Sequence, residues 1–260
     1  MTPERVLISV CGVGRSGKTV LGLMLGNAIG AFYCGEADVL YRPRSNAHLR
    51  LECTCGQQDC HVWRRIGDPP EERFHATIAE RMSVTRVVDS SHTFEWTEDA
   101  WRWAPAEGMR PVRVVIWRDP LERAHSIWKR AEPDQRKKRL RMSGRSYRRR
   151  YSAYLESDQP FVGVSYEGLI ERPREALQAI VAEIGVPYVD GQERFWEKQH
   201  HFRTGSLEVK RALQGGRTGF RKPAPPSAEF IEDVRRYDPE LGRSADTLSL
   251  LERLRERSVA

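Results

Sequence analysis

The chain has 260 residues, 39% of them hydrophobic and 30% charged, with a formal net charge of +7. That composition suits a globular fold with a sizeable core, and no stretch reaches the roughly 18 apolar residues of a membrane-crossing helix. The positive excess is local: residues 136–150 hold nine Lys or Arg and no acid, and the remaining 34 of the 43 basic side chains stand against 36 acidic ones. This argues against a broadly basic nucleic-acid binder and leaves two readings of the block, an anion-facing arm or a solvated loop.

Residues 6–11, Val-Leu-Ile-Ser-Val-Cys, read as a buried strand. Gly12-Val13-Gly14-Arg15-Ser16-Gly17-Lys18-Thr19 follows, and residues 18–30 continue as a helix. Strand, glycine-rich turn and helix together make a phosphate seat, because turn N–H groups and the positive end of the helix face the same point. Residues 20–35 carry no charge, but Glu4, Arg15 and Lys18 do not form the basic leader of a secretion signal. A cytoplasmic chain is the expectation.

Residues 36–75 read as an irregular insertion over one face, with a helix near 71–82. Five cysteines are present, and three cluster as Cys53-Thr-Cys55-Gly-x3-Cys60, with Trp63 close behind. In a reducing compartment such a cluster points to metal before disulfide. Three thiolates need a fourth ligand, and His48 and His61 stand nearest in sequence. The Cys-x-Cys spacing departs from the usual Cys-x2-Cys, so packed free thiols are expected ahead of a structural zinc or a disulfide.

Residues 84–89 read as the second strand, ending in Asp89-Ser90-Ser91-His92. Residues 94–103 read as a helix whose Trp96, Trp101 and Trp103 are expected in packing ahead of a ligand pocket. The β-branched run 112–117 is a third strand, and Pro120 suits the first turn of a helix over 120–131. After the basic block, residues 161–165 form a fourth strand, 173–185 an amphipathic helix stopping at Gly185 and Pro187, and 227–257 two helical stretches. No internal repeat is visible. Strands alternating with helices imply a three-layer α/β fold, a mainly parallel sheet flanked by helices. Ligands in such sheets bind beyond the carboxyl ends of the strands, which puts residues 12–19, 89–92, Arg118 and Tyr166 on one rim.

On that rim Arg118-Asp119-Pro120 ends the third strand and Ser126 lies eight residues on, along the next helix. An Arg fork and a Ser hydroxyl so placed can converge on one anionic group; an ion pair and a surface serine account for them equally well in isolation. Taken together, the motifs resemble those of sulfotransferases. Gly14-Arg15-Ser16-Gly17-Lys18-Thr19 resembles their 5′-phosphosulfate loop. Trp117-Arg118-Asp119-Pro120 through Arg123 to Ser126 resembles their 3′-phosphate motif, eight-residue spacing included. Ser165-Tyr166-Glu167-Gly168-Leu169, with Arg172-Pro173, looks like the family's segment before a helix, and the cysteine cluster with Trp63 is similar to one in bacterial members.

The resemblance implies a P-loop-like sulfotransferase fold, in one domain over residues 1–260 with the insertion at 36–75 and a basic arm or lid at 131–155. It also implies transfer of a sulfuryl group from 3′-phosphoadenosine 5′-phosphosulfate (PAPS) to a hydroxyl or amine of a small-molecule or carbohydrate acceptor, without a metal. The donor's 5′ end would lie on Gly14, Arg15, Ser16, Gly17, Lys18 and Thr19, its 3′-phosphate on Arg118 and Ser126, and its adenine region near Tyr166. Arg15 would steady the bridging oxygen. Lys18 stands where the family usually has Thr or Ser, and either shares that task or serves as an ordinary phosphate lysine. His92 is the candidate general base, since histidine titrates near neutrality; a loop histidine bonded to backbone is the alternative. The segment 198–222 contains His200, His201, Arg203, Gly205, Lys210 and Lys222, with Arg217 and Gly219 chosen as nucleotide contacts.

Gly12-x4-Gly17-Lys18-Thr19 also completes the pattern of a loop that holds ATP or GTP. The alternative is therefore a Mg²⁺-dependent small-molecule kinase, with Asp89 on the metal or the substrate hydroxyl and the basic block as a lid. A non-catalytic nucleotide-binding regulator is a third reading.

Overall fold

Val6, Ile8 and Val10 face one side of strand β1 (Arg5–Cys11) and pack in one apolar cluster, while Leu7 and Cys11 pack in clusters on the other side. A strand buried on both faces belongs at the centre of a parallel sheet. The computed structural model describes residues 3–42, 52–216, 218–220, 222 and 224–260. From β1 the chain runs through α1 (Lys18–Gly26), β2 (Ala31–Gly35), α2 (Asp38–Tyr41), α3 (His61–Ile66) and α4 (Phe74–Arg81) to β3 (Arg86–Asp89). Then follow α5 (Phe94–Trp103), β4 (Met109–Trp117), α6 (Pro120–Trp128), α7 (Arg136–Glu156), β5 (Val162–Ser165) and α8 (Tyr166–Glu171). The described chain closes with α9 (Pro173–Glu183), α10 (Leu207–Gln214), α11 (Ala228–Tyr237) and α12 (Ala245–Glu256).

The five strands are all parallel and lie in the order β2-β3-β1-β4-β5. Helices α1 and α9 bury Leu21, Leu25, Leu177 and Ile180 against one face. The other face is covered by α4 and α5 near β1 and β3, and by α7 and α12 near β4 and β5. This is the expected three-layer α/β sandwich. The outer edge of β5 is covered by residues 257–260: Gly163 N–H donates to the Arg257 carbonyl at 2.8 Å and Ser165 N–H to that of Ala260 at 2.7 Å. An edge so paired is no longer open to another strand.

Several elements differ from the sequence reading. The first helix stops at Gly26 and not near 30, and a fifth strand, β2, follows. Gly26 lies so close to the β2 backbone that a Cβ there would sit 2.9 Å from the Tyr33 nitrogen. The second strand begins at Arg86, because residues 82–85 form the turn into it. The basic block is neither arm nor loop but the 21-residue helix α7, which buries Leu140, Tyr147, Tyr151 and Tyr154 along one stripe and keeps Lys137, Lys138, Arg141 and Arg145 outside. The irregular stretch 36–75 contains α2 and α3, and the expected helix beyond it is a 3₁₀ turn at Glu71–Arg73 running into α4. Among the described residues no helix is long and apolar enough to cross a membrane.

Register decides what the rim brings together. Trp117 pairs with Ser165 across β4 and β5, so the next residues, Arg118 and Tyr166, emerge side by side. Ser9 pairs with Asp89 and Cys11 with Val115, so the glycine-rich turn emerges between residues 90–92 and the end of β4.

Candidate active site

A cleft of about 650 Å³ opens beyond the carboxyl ends of β1, β3 and β4. Gly14, Arg15, Gly17, Lys18, Thr19, His92, Arg118, Ser126, Tyr166 and Gly219 all line it. Ser16 lies behind the loop, fully buried, and its hydroxyl donates to the Val13 carbonyl at 2.8 Å, bracing the turn from below. Arg217 falls outside the described residues.

The glycines of the loop are spaces for neighbours. A Cβ on Gly12 would meet the Ile116 carbonyl at 2.4 Å, and one on Gly17 would meet the Tyr166 ring at 2.3 Å. A Cβ on Gly14 would stand 3.1 Å from the His92 ring. Gly17, at φ 104°, also occupies backbone space that side chains rarely tolerate. It precedes α1 with no side-chain cap on the helix start. A helix N-terminus of this kind attracts an anionic group.

The cations flanking the loop face two ways. Lys18, 4% exposed, reaches the end of β3, where its ammonium donates to the Ser90 and Ser91 carbonyls at 2.8 and 3.0 Å. It lies 3.4 Å from His92 Nδ1 and 4.0 Å from a Glu36 oxygen. The His92 backbone N–H donates to Asp38 at 3.2 Å, so the turn carrying the imidazole is anchored from outside the cleft. Arg15 turns the opposite way. Its Nε donates to Ser126 Oγ at 3.2 Å and its Nη2 pairs with Glu208 of α10 at 2.9 Å. Arg130 bonds Ser126 as well, at 2.7 Å to the carbonyl and 3.2 Å to the hydroxyl, and also meets Glu208.

Arg118 lines the same cleft but bonds a separate pair of carboxylates. It is 7% exposed, pairs with Glu122 at 3.0 Å and Glu167 at 3.7 Å, and lies 4.7 Å over the Tyr166 ring. Its direction is set by the next turn: Asp119 caps α6 by accepting from the Leu121 and Glu122 N–H groups, and Pro120 occupies the first helical position. Tyr147 and Tyr151 of α7 donate to the Arg118 and Ile116 carbonyls at 3.0 and 2.9 Å. Arg123 of α6 donates to the Gly14 carbonyl at 2.9 Å. The strand end is therefore held from beneath by α7, a helix the sequence marks only as basic, and the loop by Arg123 of α6.

The cleft lining holds six Lys or Arg against three Glu among the described residues. His125 sits in it with Nε2 buried and without a hydrogen-bond partner among the described residues. Burial, with Lys129 and Arg118 nearby, pushes the His125 pKa below the ordinary histidine value. A surplus of cations in a partly buried space favours an anionic ligand. An apolar wall of Ile170, Trp196 and Phe220 completes the cleft beside Tyr166, with Trp196 and Phe220 in edge contact at 5.2 Å.

Sequence reasoning missed His125, Lys129, Arg130, Trp196 and Glu208. The helical spacing of Ser126 and Arg130 was available as a signal for Arg130, since residues four apart share a face. The tryptophans singled out in sequence do not reach the cleft. Trp96 is fully buried and donates to Asp89 at 2.7 Å, Trp103 packs on it at 6.0 Å, and Trp101 lies under Arg113.

Asp89 does not enter the cleft either. It is 3% exposed, and its carboxylate accepts from His75, Trp96 and Ser91, at 2.9, 2.7 and 2.5 Å through their side chains. Burial opposes its charge, but these donors outweigh burial and hold its pKa below the usual carboxylate value. The group that the kinase reading requires on a metal or a hydroxyl is thus consumed in packing on the far side of the sheet.

The segment 198–222 divides its candidates. His200 is buried on the Phe195 carbonyl at 2.8 Å, and Gly205 and Ser206 reach the cleft. Ser206 N–H donates to Thr19 Oγ1 at 3.1 Å and its side chain caps α10. Lys222 lines the cleft beside Gly219. His201 lies elsewhere, against the cysteines: its Nδ1 is 3.3 Å from Cys60 Sγ and 3.8 Å from Cys53 Sγ. His61 only packs edge-on to His201 at 5.4 Å, and His48 falls outside the described residues. All five cysteines are free thiols, so the cluster contains no disulfide.

This α/β arrangement is the sulfotransferase fold. The sulfotransferase domain of the olefin synthase of Synechococcus PCC 7002 superposes with a TM-score of 0.56 at 15% identity, over 90% of this chain and 94% of that one. The sulfotransferase domain from the curacin biosynthetic pathway superposes with a TM-score of 0.55 at 12% identity, over 91% and 98%. No family model matches the sequence, and no curated protein matches it.

Proposed function

We propose that the protein is a sulfotransferase that moves a sulfuryl group from PAPS to a hydroxyl or amine of a small-molecule or carbohydrate acceptor, in the cytoplasm. The observation that carries this reading is the presence of two anion seats in one cleft. One is the uncapped start of α1 with its glycine-rich loop; the other is the Arg118, Ser126, Arg130 and Arg15 cluster. A nucleotide phosphorylated at both ends needs two seats, whereas ADP needs only the first. The wall of Tyr166, Trp196 and Phe220 offers the purine an apolar surface.

In this reading the acceptor oxygen or nitrogen attacks sulfur in line. The new bond to sulfur forms as the bond from sulfur to the bridging phosphate oxygen breaks, and His92 takes the acceptor proton. The leaving group is 3′,5′-adenosine bisphosphate. Charge growing on the bridging oxygen meets Lys18 and the loop N–H groups, fixed donors that need little reorganisation. The geometry favours Lys18 for this task, because its ammonium already lies beside His92, and favours Arg15 for the 3′-phosphate, because it lies on Ser126. The family resemblance assigns the bridging oxygen to Arg15, so the two residues exchange emphasis here. Fixed cations supply the charge that a metal would otherwise bring, and no metal is required for transfer.

Calorimetry with 3′,5′-adenosine bisphosphate against ADP–Mg²⁺ tests the reading. The bisphosphate should bind more tightly and equally well in chelator. Tighter binding of ADP, dependent on Mg²⁺, would return the kinase reading to first place.

A further inference from the structure

We propose that Cys53, Cys55, Cys60 and His201 hold a zinc ion that staples the cysteine-bearing insertion to the segment leading into α10. The four ligand atoms all lie within 4.8 Å of one another. A tetrahedral zinc with Zn–S about 2.3 Å and Zn–N about 2.0 Å sets its ligand atoms roughly 3.5–3.8 Å apart. The two thiol-to-imidazole separations, 3.3 and 3.8 Å, already match that edge. Cys53 and Cys60 are 2% exposed, and Cys55 is half-buried. Three cysteines and one histidine are a closed ligand set, with no position left for catalysis. The fourth ligand comes from 141 residues further along the chain than Cys60, where no local spacing could reveal it.

The surroundings fit the charge of such a site. Zinc displaces the three thiol protons to solvent, leaving a net charge of −1 on the cluster. Lys210 reaches the backbone carbonyl of Glu52, next to Cys53, and Arg203 lies 4.8 Å over the neighbouring Trp63 ring. The backbones on either side are already fastened. Thr54 N–H donates to the Phe202 carbonyl and Phe202 N–H to Thr54 Oγ1, each at 3.0 Å. Trp63 donates to the His201 carbonyl at 2.8 Å, and Lys210 donates to that of Glu52. A carbonyl-fixed turn with its imidazole Nδ1 aimed at two thiols is a pre-oriented ligand.

The staple has a reach beyond itself. From His201 the chain passes through Thr204, which exchanges hydrogen bonds of 2.8 Å with the Glu36 backbone, to Ser206 on Thr19 and then into α10. The same clamp therefore sets the cleft wall that carries Glu208.

Metal analysis of the full chain purified under reducing conditions should give about one zinc per chain. Cobalt in its place should show the intense visible bands of a tetrahedral thiolate site. His201→Ala should lower bound metal by more than about tenfold, and His201→Cys should restore it with a changed thiolate-to-cobalt band. Cys55→Ser, at the most exposed ligand and the least disruptive to packing, should lower affinity in the same direction. Stripping the metal should open residues 198–216 to limited proteolysis. The proposal is overturned if the folded chain contains no zinc, takes none up in a zinc titration, and presents all three thiols to a thiol reagent. The stapling role is overturned if the proteolytic pattern is the same with and without metal.

Discussion

Arg118 and Arg15 line the cleft beside Ser126 from different elements, Arg15 bonding its hydroxyl, and both are already engaged with carboxylates. A 3′-phosphate would replace Glu122 and Glu208 as their partner, gaining charge-assisted hydrogen bonds to a buried Arg118 and a partly exposed Arg15. Hydrogen bonds to charged groups are worth roughly 1.5–3 kcal/mol. Arg118→Ala and Arg15→Met should therefore each weaken 3′,5′-adenosine bisphosphate by about ten- to a hundredfold while changing 5′-AMP far less. Lys18→Met should weaken both nucleotides alike, since both place a 5′-phosphate on the loop. Equal losses on the two nucleotides in the arginine variants would remove the 3′-phosphate seat. Asp89 makes a different kind of prediction. Its pKa is held low in the folded chain, so its contribution to stability is complete above about 3.9 and is lost as pH falls through the folded value. Asp89→Asn should cost about 3 kcal/mol at neutral pH, because buried donors lose their charged acceptor. It should also flatten the acid limb of a plot of urea midpoint against pH; an unchanged limb would mean that other carboxylates govern it.

At the scale of elements, α7 shows how one helix can serve two surfaces. Its tyrosines fall at spacings of four and three, and Tyr147 and Tyr151 bond the Arg118 and Ile116 carbonyls at the end of β4, while its basic residues face outward. Tyr151→Phe should cost about 1–2 kcal/mol, as a buried hydrogen bond is lost without change of shape. Replacing Lys137, Lys138 and Arg141 by Gln should shift stability by less than about 0.5 kcal/mol per site. Urea unfolding of the two variants checks both; equal costs would contradict the division of faces. The same helix explains what could be read in advance. Charge dominates its composition and hides a stripe of Leu140, Tyr147, Tyr151 and Tyr154, so it reads as a block and not as a helix. Strand β2 was hidden for a related reason: residues 20–35 form one uncharged run, and only close packing of Gly26 on Tyr33 divides helix from strand. By contrast β1, β3, β4 and β5 stand out by their apolar and β-branched runs between polar ends. The strand-end motifs followed from them, because in a parallel sheet the end of a buried strand is also the rim. His201 was not legible as a partner of the cysteines, since it meets them across 141 residues of chain, whereas Arg130 could be read only from its four-residue spacing to Ser126.

Across the whole molecule, the electrostatic asymmetry falls into two populations. Lys18 and Arg118 are 4% and 7% exposed at the sheet rim, whereas the outward face of α7 is open to solvent. Exposed charges are screened by salt within a Debye length of about 8 Å at physiological ionic strength, and buried ones much less. If the ligand were held by the α7 face, its stabilising effect would fade steeply with salt. If it is held in the cleft, the effect should largely persist. A ligand that binds only the folded chain stabilises it by about 2.7 kcal/mol at a hundred times its Kd. For a chain of this size that corresponds to a rise in melting temperature of roughly 5–10 °C. The expected result is such a rise with 3′,5′-adenosine bisphosphate in the presence of EDTA, retained for the most part on raising the salt at constant saturation. The rise should be smaller with ADP at equal concentration, because ADP leaves the Arg118 and Ser126 seat to Glu122 and Glu208. A shift that needs Mg²⁺, or that is as large for ADP, would place the binding energy on the loop alone, and the second seat would then have no part in nucleotide recognition.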